Sequence, residues 1–219
     1  MSFPRVYLKH IIGKIYSVNE HYFTANPSKD SNKKTISVKL NGQIYRLYTD
    51  SGVFSNTRLD LGTEVLLKKA PIPAETGTFL DAGCGWGPIS LSLGLYSPEA
   101  EIYSVDVNER SVELTDLNAK TLGLENIHAL EVQNALKYFS ENNIKFDLIW
   151  SNPPIRVGKE AFHSFLKTYL DLLKDNGIAY LVVQKNLGAD TCIKWLNEQG
   201  YVANKYASQK GFRIIEVTK

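Results

Sequence analysis

The chain has 219 residues, 43% of them hydrophobic and 22% charged, which suits one good-sized globular unit with at most a small addition. No apolar run approaches the ~20 residues of a membrane span. The two cysteines, Cys84 and Cys192, lie too far apart for a disulfide framework or a metal cluster. The first residues mix Arg5, Lys9 and Lys14 with apolar side chains and lack a cleavage site, so a cytoplasmic chain without a signal peptide is expected. The net charge is only +2, but residues 1–50 hold eight Lys/Arg against three Asp/Glu, and residues 201–219 hold four against one. Two basic ends around an acidic middle point to a localised anion-binding face.

In chain order, alternating residues on both sides of Asn41-Gly42 predict a β-hairpin over 35–50, because a type I′ turn needs φ > 0 at both central positions. Residues 1–60 therefore read as a β-rich basic extension and residues 61–219 as the main domain. Thr63 is expected to cap a helix over 63–70, and "GTFLDAG" (77–83) to form a strand. Pro88 opens a helix, a strand ends at Asp106, and Asn108 caps a helix closed by Gly123. "IHALEV" (127–132) and "FDLIW" (146–150) are strands. The spacing of Phe162, Phe165, Leu166, Tyr169, Leu170 and Leu173 predicts a helix from Lys159 that stops at Gly177. "IAYLVVQ" is an apolar strand, 190–200 a helix, and the last two strands an antiparallel hairpin. Strands alternating with helices specify an α/β, doubly wound, mostly parallel seven-stranded Rossmann-like sheet.

Ligands of such sheets sit beyond the C-terminal strand ends. The first core strand ends in "LDAGCGWGP", with Gly83, Gly85 and Gly87 spaced G-x-G-x-G, and the second ends at Asp106. A glycine turn followed by a strand-end acid is the general mark of a nucleoside cofactor, the acid taking the ribose hydroxyls. A nicotinamide site wants a third glycine three positions after the second, where this chain has Pro88. Asp81 would repel a pyrophosphate but attract the ammonium of a methionine moiety. Both features select S-adenosylmethionine.

The fourth core strand stops at Ser151-Asn152-Pro153-Pro154, and two prolines cannot continue a ladder. Asn152 before proline is held extended, and its side-chain oxygen and the Pro153 carbonyl are two acceptors able to grip both hydrogens of an –NH₂ group. That grip turns the nitrogen lone pair toward a methyl donor, so Asn152 and Pro153 are the candidate catalytic groups, working by positioning. Arg156 and Lys159, just beyond, are candidate phosphate contacts, with Lys185 and Arg213 in the same role. Lys33, Lys34, Lys210 and Arg213, in the two basic ends, are expected to build a phosphate-holding face. His10, His21 and His128 have no ligand spacing, so no metal is expected; His163 reads as a helix surface residue and Trp195 as core.

"FLDAGCGWG", "YSVDVN", "VQNAL" and "SNPP", in that order, resemble class I S-adenosylmethionine-dependent methyltransferases that methylate amines. "TDSGVFSNTRLDLGTEVLL" (49–67) is similar to the small-domain type, as in the catalytic domain of bacterial 16S ribosomal RNA guanine-N2 methyltransferases. The resemblance implies cofactor contacts by Asp81, Gly83, Cys84, Gly85 and Gly87, with Asp106 on the ribose and Val107 beside the adenine. It further implies Asn134 and Ala135 at the adenine amino group, Asn152 at the target amine, and Phe54 over the methionine end or the entering base. Pro154 and Ile155 would border the base. The chain departs from the family in carrying Ile155 where an aromatic follows the prolines, with Phe54 or Trp86 as the substitute, and in having one copy of the domain rather than two. RNA, either ribosomal RNA or a small-subunit particle, is the implied partner, and a homodimer would stand in for the second copy. The alternatives are glutamine-N5 methylation of a protein, whose enzymes usually have a helical N-terminal domain, DNA adenine methylation, and a non-catalytic cofactor- or RNA-binding role.

Overall fold

The computed structural model describes residues 31–219. The basic segment with Arg5, Lys9 and Lys14, and with His10 and His21, lies outside the described residues. Nine strands and six α-helices follow one another among the described residues. β1 (Lys34–Leu40) and β2 (Gln43–Thr49) form the predicted hairpin. Asn41 and Gly42 turn it with φ of 49° and 87°, the left-handed pair that a type I′ turn requires.

The remaining strands are β3 (Thr76–Ala82), β4 (Glu99–Asp106), β5 (Ile127–Glu131), β6 (Phe146–Ser151), β7 (Leu173–Gln184), β8 (Val202–Gln209) and β9 (Phe212–Thr218). They form one seven-stranded sheet in the order β5-β4-β3-β6-β7-β9-β8. β3 to β7 run parallel, and β9 enters antiparallel between β7 and β8. The strand order reverses between β3 and β6, so a crevice opens beyond their C-terminal ends.

The helices are α1 (Leu61–Lys69), α2 (Pro88–Tyr96), α3 (Glu109–Thr121), α4 (Val132–Glu141), α5 (Lys159–Leu170) and α6 (Ala189–Glu198). Two apolar clusters lie on opposite faces of the sheet. One takes α4, α5 and α6; the other takes α1, α2, α3 and the β1–β2 hairpin, through Val38, Leu40 and Leu47. Helices on both faces explain why the central strands are apolar throughout. The hairpin is fixed by polar contacts as well. Asn118, fully buried on α3, exchanges two hydrogen bonds with the backbone of Tyr48 (2.7 and 2.9 Å) and donates a third to the carbonyl of Trp86 (2.9 Å).

Three elements differ from the sequence expectation. α1 is capped by Asp60, whose Oδ2 accepts from the Thr63 amide at 3.1 Å, so Thr63 lies inside the helix. α5 ends at Leu170 and not at Gly177; β7 already begins at the fully buried Leu173. Gly177 is therefore a strand glycine: a Cβ there would sit 2.6 Å from the Phe146 carbonyl oxygen, a close approach that only glycine allows. α4 was not expected at all. It follows β5 without a loop, and its first residue directly succeeds the last strand residue.

Candidate active site

Four parallel strand ends meet at the crevice. β3 pairs with β6 as far as Asp81↔Trp150, and the Ser151 hydroxyl donates to the Ala82 carbonyl at 2.6 Å. These contacts set Asn152 beside the glycine turn at 83–87. The turn is held open by its backbone: Gly83, Gly85 and Gly87 have φ of 80°, 58° and 95°. At Gly87 a Cβ would also lie 3.0 Å from the Thr115 side chain, so α2 and α3 could not pack as closely with any other residue there. A Cβ at Gly85 would meet nothing within 4 Å, which means that open space faces the turn.

Asp106 ends β4 with both carboxylate oxygens engaged: Oδ2 accepts from the Gly85 amide and Oδ1 from the Asn108 amide, each at 2.9 Å. Burial raises its pKa, and the backbone donors oppose that shift. The Val107 amide is a third backbone donor to the same carboxylate, which has about four acceptor sites and so keeps capacity for the cleft.

The loop between β2 and α1 forms the opposite wall. Asn108 Nδ2 donates to the Gly52 carbonyl (2.9 Å), Arg110 to the Ser51 carbonyl (2.7 Å), and Trp86 Nε1 to the Ser55 carbonyl (3.3 Å). Val53 is buried beneath, while Phe54 stands at the mouth, 48% exposed. Together these elements enclose one continuous cleft of about 790 Å³, in the range of a ligand site.

Of the residues singled out in the sequence, Phe54, Gly83, Cys84, Gly85, Asp106, Val107, Asn152, Pro153, Pro154, Ile155 and Arg156 line this cleft. Gly87 shapes the turn from behind. Asn134 is exposed on α4 and Ala135 faces the core; Val132, the first residue of that helix, is the one at the cleft wall. Lys159 and Lys185 are exposed outside the cleft lining. The Arg213 guanidinium is paired with Asp190, and Lys210 with Glu64 at 2.9 Å, so two of the four cations expected to hold phosphate already have carboxylate partners. His163 stacks on Trp195 with ring centroids 3.7 Å apart, half-buried between α5 and α6. Burial pushes the Cys84 thiol well above its ordinary pKa, leaving it a space-filling group rather than a nucleophile. Among the described residues no cluster of His, Cys, Asp and Glu could hold a metal ion.

Asp81 faces inward, fully buried beneath the turn. Its Oδ2 accepts from the Ser90 amide (3.0 Å) and hydroxyl (2.5 Å), anchoring the first turn of α2, and Oδ1 has no partner among the described residues. Burial raises its pKa to about 7. The folded state therefore keeps a proton that the unfolded chain, with an ordinary carboxylate pKa near 3.8, releases. Stability should accordingly fall as pH rises from 4 to 7, by on the order of a few kcal/mol from this group. Urea midpoints measured across that range are expected to show a shallower decline in Asp81→Asn; an unchanged slope would mean Asp81 is ionised in the fold.

Several cleft residues carry no site reading in the sequence, Thr63 being read there only as a helix cap. Asp60 and Thr63 line it and bond to Asn152; Phe212 and Gln184 enter from β9 and β7, opposite each other in the ladder. Asp60 had a local signal, since an Asp three residues before Thr63 is itself a cap candidate. Phe212 had none, because only the antiparallel insertion of β9 brings it there.

The model of the methyltransferase small domain family matches residues 44–216. The chain is 37% identical over 202 residues to the uncharacterized protein YbxB of Bacillus subtilis (strain 168), a match covering 92% of this chain and 100% of that one. It is 40% identical over 121 residues to the ribosomal RNA small subunit methyltransferase C of Pseudoalteromonas translucida (strain TAC 125), covering 54% of this chain but only 33% of that protein. In structure it is similar to a 16S rRNA N2 methyltransferase of T. thermophilus in complex with AdoMet and guanosine, with a TM-score of 0.73 at 23% identity, covering 88% of this chain and 52% of that one. The chain thus spans about a third of the first of these enzymes and about half of the second.

Proposed function

Since the chain belongs to the methyltransferase small domain family, we propose that it transfers a methyl group from S-adenosylmethionine to the exocyclic N2 amine of a guanine in ribosomal RNA. The observation that carries this reading is the placement of Asn152 and Pro153 in the same cleft as the glycine turn and Asp106. The names of the rRNA methyltransferases it resembles favour RNA as the substrate.

The residues present fit the cofactor. Open space lies in front of Gly85, and Asp106 offers its remaining lone pairs at the end of β4. Asp106 would hold the ribose hydroxyls, Gly83 and Gly85 the methionine end, and Val107 and Val132 the adenine faces. The cofactor would supply a methyl group already activated on a positively charged sulfur, which takes the S–C electron pair as the N–C bond forms; the methylated amine, now acidic, then sheds one proton to water, so the protein needs no strong base.

Asn152 Oδ1 and the Pro153 carbonyl accept the two hydrogens of the target amine. The nitrogen lone pair, otherwise delocalised into the base, is then turned toward the cofactor side of the cleft. The reaction is accelerated by orientation and by fixed dipoles. Ile155 gives one aliphatic wall for the base. The aromatic surface missing there is supplied by Phe54 and Phe212, both of which line the cleft, whereas Trp86 is only 2% exposed and serves as its floor. Arg156, exposed and lining the cleft, would meet an RNA phosphate on this reading.

Tritiated S-adenosylmethionine should be offered with small-subunit particles and with naked RNA from a strain lacking this protein. Label is expected in N2-methylguanosine after digestion to nucleosides. Label in a protein glutamine, or in another nucleoside, would overturn the substrate assignment.

A further inference from the structure

Asn152 presents an ambiguous side chain. Its two ends have nearly the same shape, and only the oxygen end can accept an amine hydrogen. With the nitrogen end forward, two donors would face each other and the target amine would be repelled.

The structure assigns Asp60 and Thr63 to this choice: we infer that they are positioning residues that hold the Asn152 amide with its oxygen toward the substrate. Asn152 Nδ2 donates one hydrogen to Asp60 Oδ2 at 2.8 Å and the other to Thr63 Oγ1 at 3.0 Å. Both hydrogens are thereby used, and Oδ1 is left for the cleft. An ionised carboxylate has no hydrogen to give, so it can bind only the nitrogen end. Flipping the amide would set Oδ1 against Asp60, oxygen against oxygen.

The pair is built into the start of α1. Asp60 Oδ2 also accepts from the Thr63 amide at 3.1 Å, so one oxygen both caps the helix and grips Asn152. Thr63 is only 4% exposed, which fixes its hydroxyl in place. Gly62 leaves the room: a Cβ there would sit 2.9 Å from Asp60 Oδ2 and 3.0 Å from the Phe212 ring. A negative charge behind the amide also polarises it and strengthens Oδ1 as an acceptor.

This inference rests on the proposed chemistry at Asn152, so its test separates the two. The side-chain amide signal of Asn152, identified by its loss in Asn152→Ala, reports the contact by NMR without any substrate. The double variant Asp60→Ser with Thr63→Val keeps a helix cap but cannot reach the amide. Its Asn152 side-chain signals are expected to shift toward the solvent-exposed position and to exchange at least about tenfold faster, since the charged bond is gone. Asp60→Asn, whose oxygen can still accept, should retain the shift. Single-turnover methyl transfer to small-subunit RNA from the deletion strain should fall at least about tenfold, with S-adenosylmethionine affinity and thermal midpoint little changed. In an Asn152→Ala background the same double variant should cost nothing more. Unmoved Asn152 signals, or a rate loss that adds to that of Asn152→Ala, would overturn the positioning role. Full activity in Asn152→Ala alone would instead overturn the chemistry, leaving the NMR result to decide the contact.

Discussion

Replacing Asn152 by alanine is expected to lower single-turnover methyl transfer by about 10²–10³, the usual loss when one preorganised hydrogen bond at a reacting centre is removed. The proposed chemistry needs two acceptors, and alanine would leave only the Pro153 carbonyl. The amine could then rotate, and its lone pair would return to conjugation with the base. Folding should survive with a modest loss of stability: alanine gives up the bonds to Asp60 and Thr63, but Asp60 still caps α1 through the Thr63 amide and the strand end is held by Ser151 to Ala82 at 2.6 Å. Affinity for S-adenosylmethionine, read by titration calorimetry, should be nearly that of the wild type. Methyl transfer at the wild-type rate would show that the amine is gripped by other groups.

The second large effect belongs to Asp106. In the proposed site Asp106 gives two charged hydrogen bonds to ribose hydroxyls, each worth roughly 1.5–3 kcal/mol, so on that reading cofactor affinity should fall at least tenfold in Asp106→Ala. The carboxylate also accepts from the Gly85 and Asn108 amides, so part of that loss will come from a loosened glycine turn. Asp106→Asn separates the contributions: its single oxygen can keep one backbone bond but cannot serve two hydroxyls as an acceptor. Calorimetry is expected to rank the three proteins wild type, Asn, Ala in falling affinity. Equal affinities would remove Asp106 from the ribose.

The parts of this molecule legible in its sequence are those governed by neighbours along the chain. Asn41-Gly42 announced its turn, Pro88 and Asn108 their helix starts, and Gly83, Gly85 and Asn152-Pro153-Pro154 the strand ends that line the cleft. What escaped was set by contacts between distant segments. Gly177 resembles a helix stop, and its real constraint, the Phe146 carbonyl 2.6 Å from a would-be Cβ, lies on another strand. α4 carries buried Val132, Ala135, Leu136 and Phe139 at helical spacing, yet no turn residue separates it from β5, so its start had no punctuation. Arg213 reads as a free cation until β9 brings it to Asp190. Phe212 enters the cleft for the same topological reason.

Asn118 has a consequence for how pieces of such proteins can be exchanged. Its one amide group binds the Tyr48 backbone in the hairpin and the Trp86 carbonyl in the glycine turn. A chimera that joins a foreign N-terminal segment at residue 60 would inherit a buried amide facing an unfamiliar backbone. Two of its three bonds would be lost in a site that water does not reach, and each unmet polar group costs about 1–3 kcal/mol. The same junction would divide Asp60 from the helix it caps. Productive crossover points should therefore lie away from this seam, and grafts that carry residues 34–121 as a block, keeping Tyr48, the Asp60 cap, Trp86 and Asn118 together, should fold where shorter ones fail.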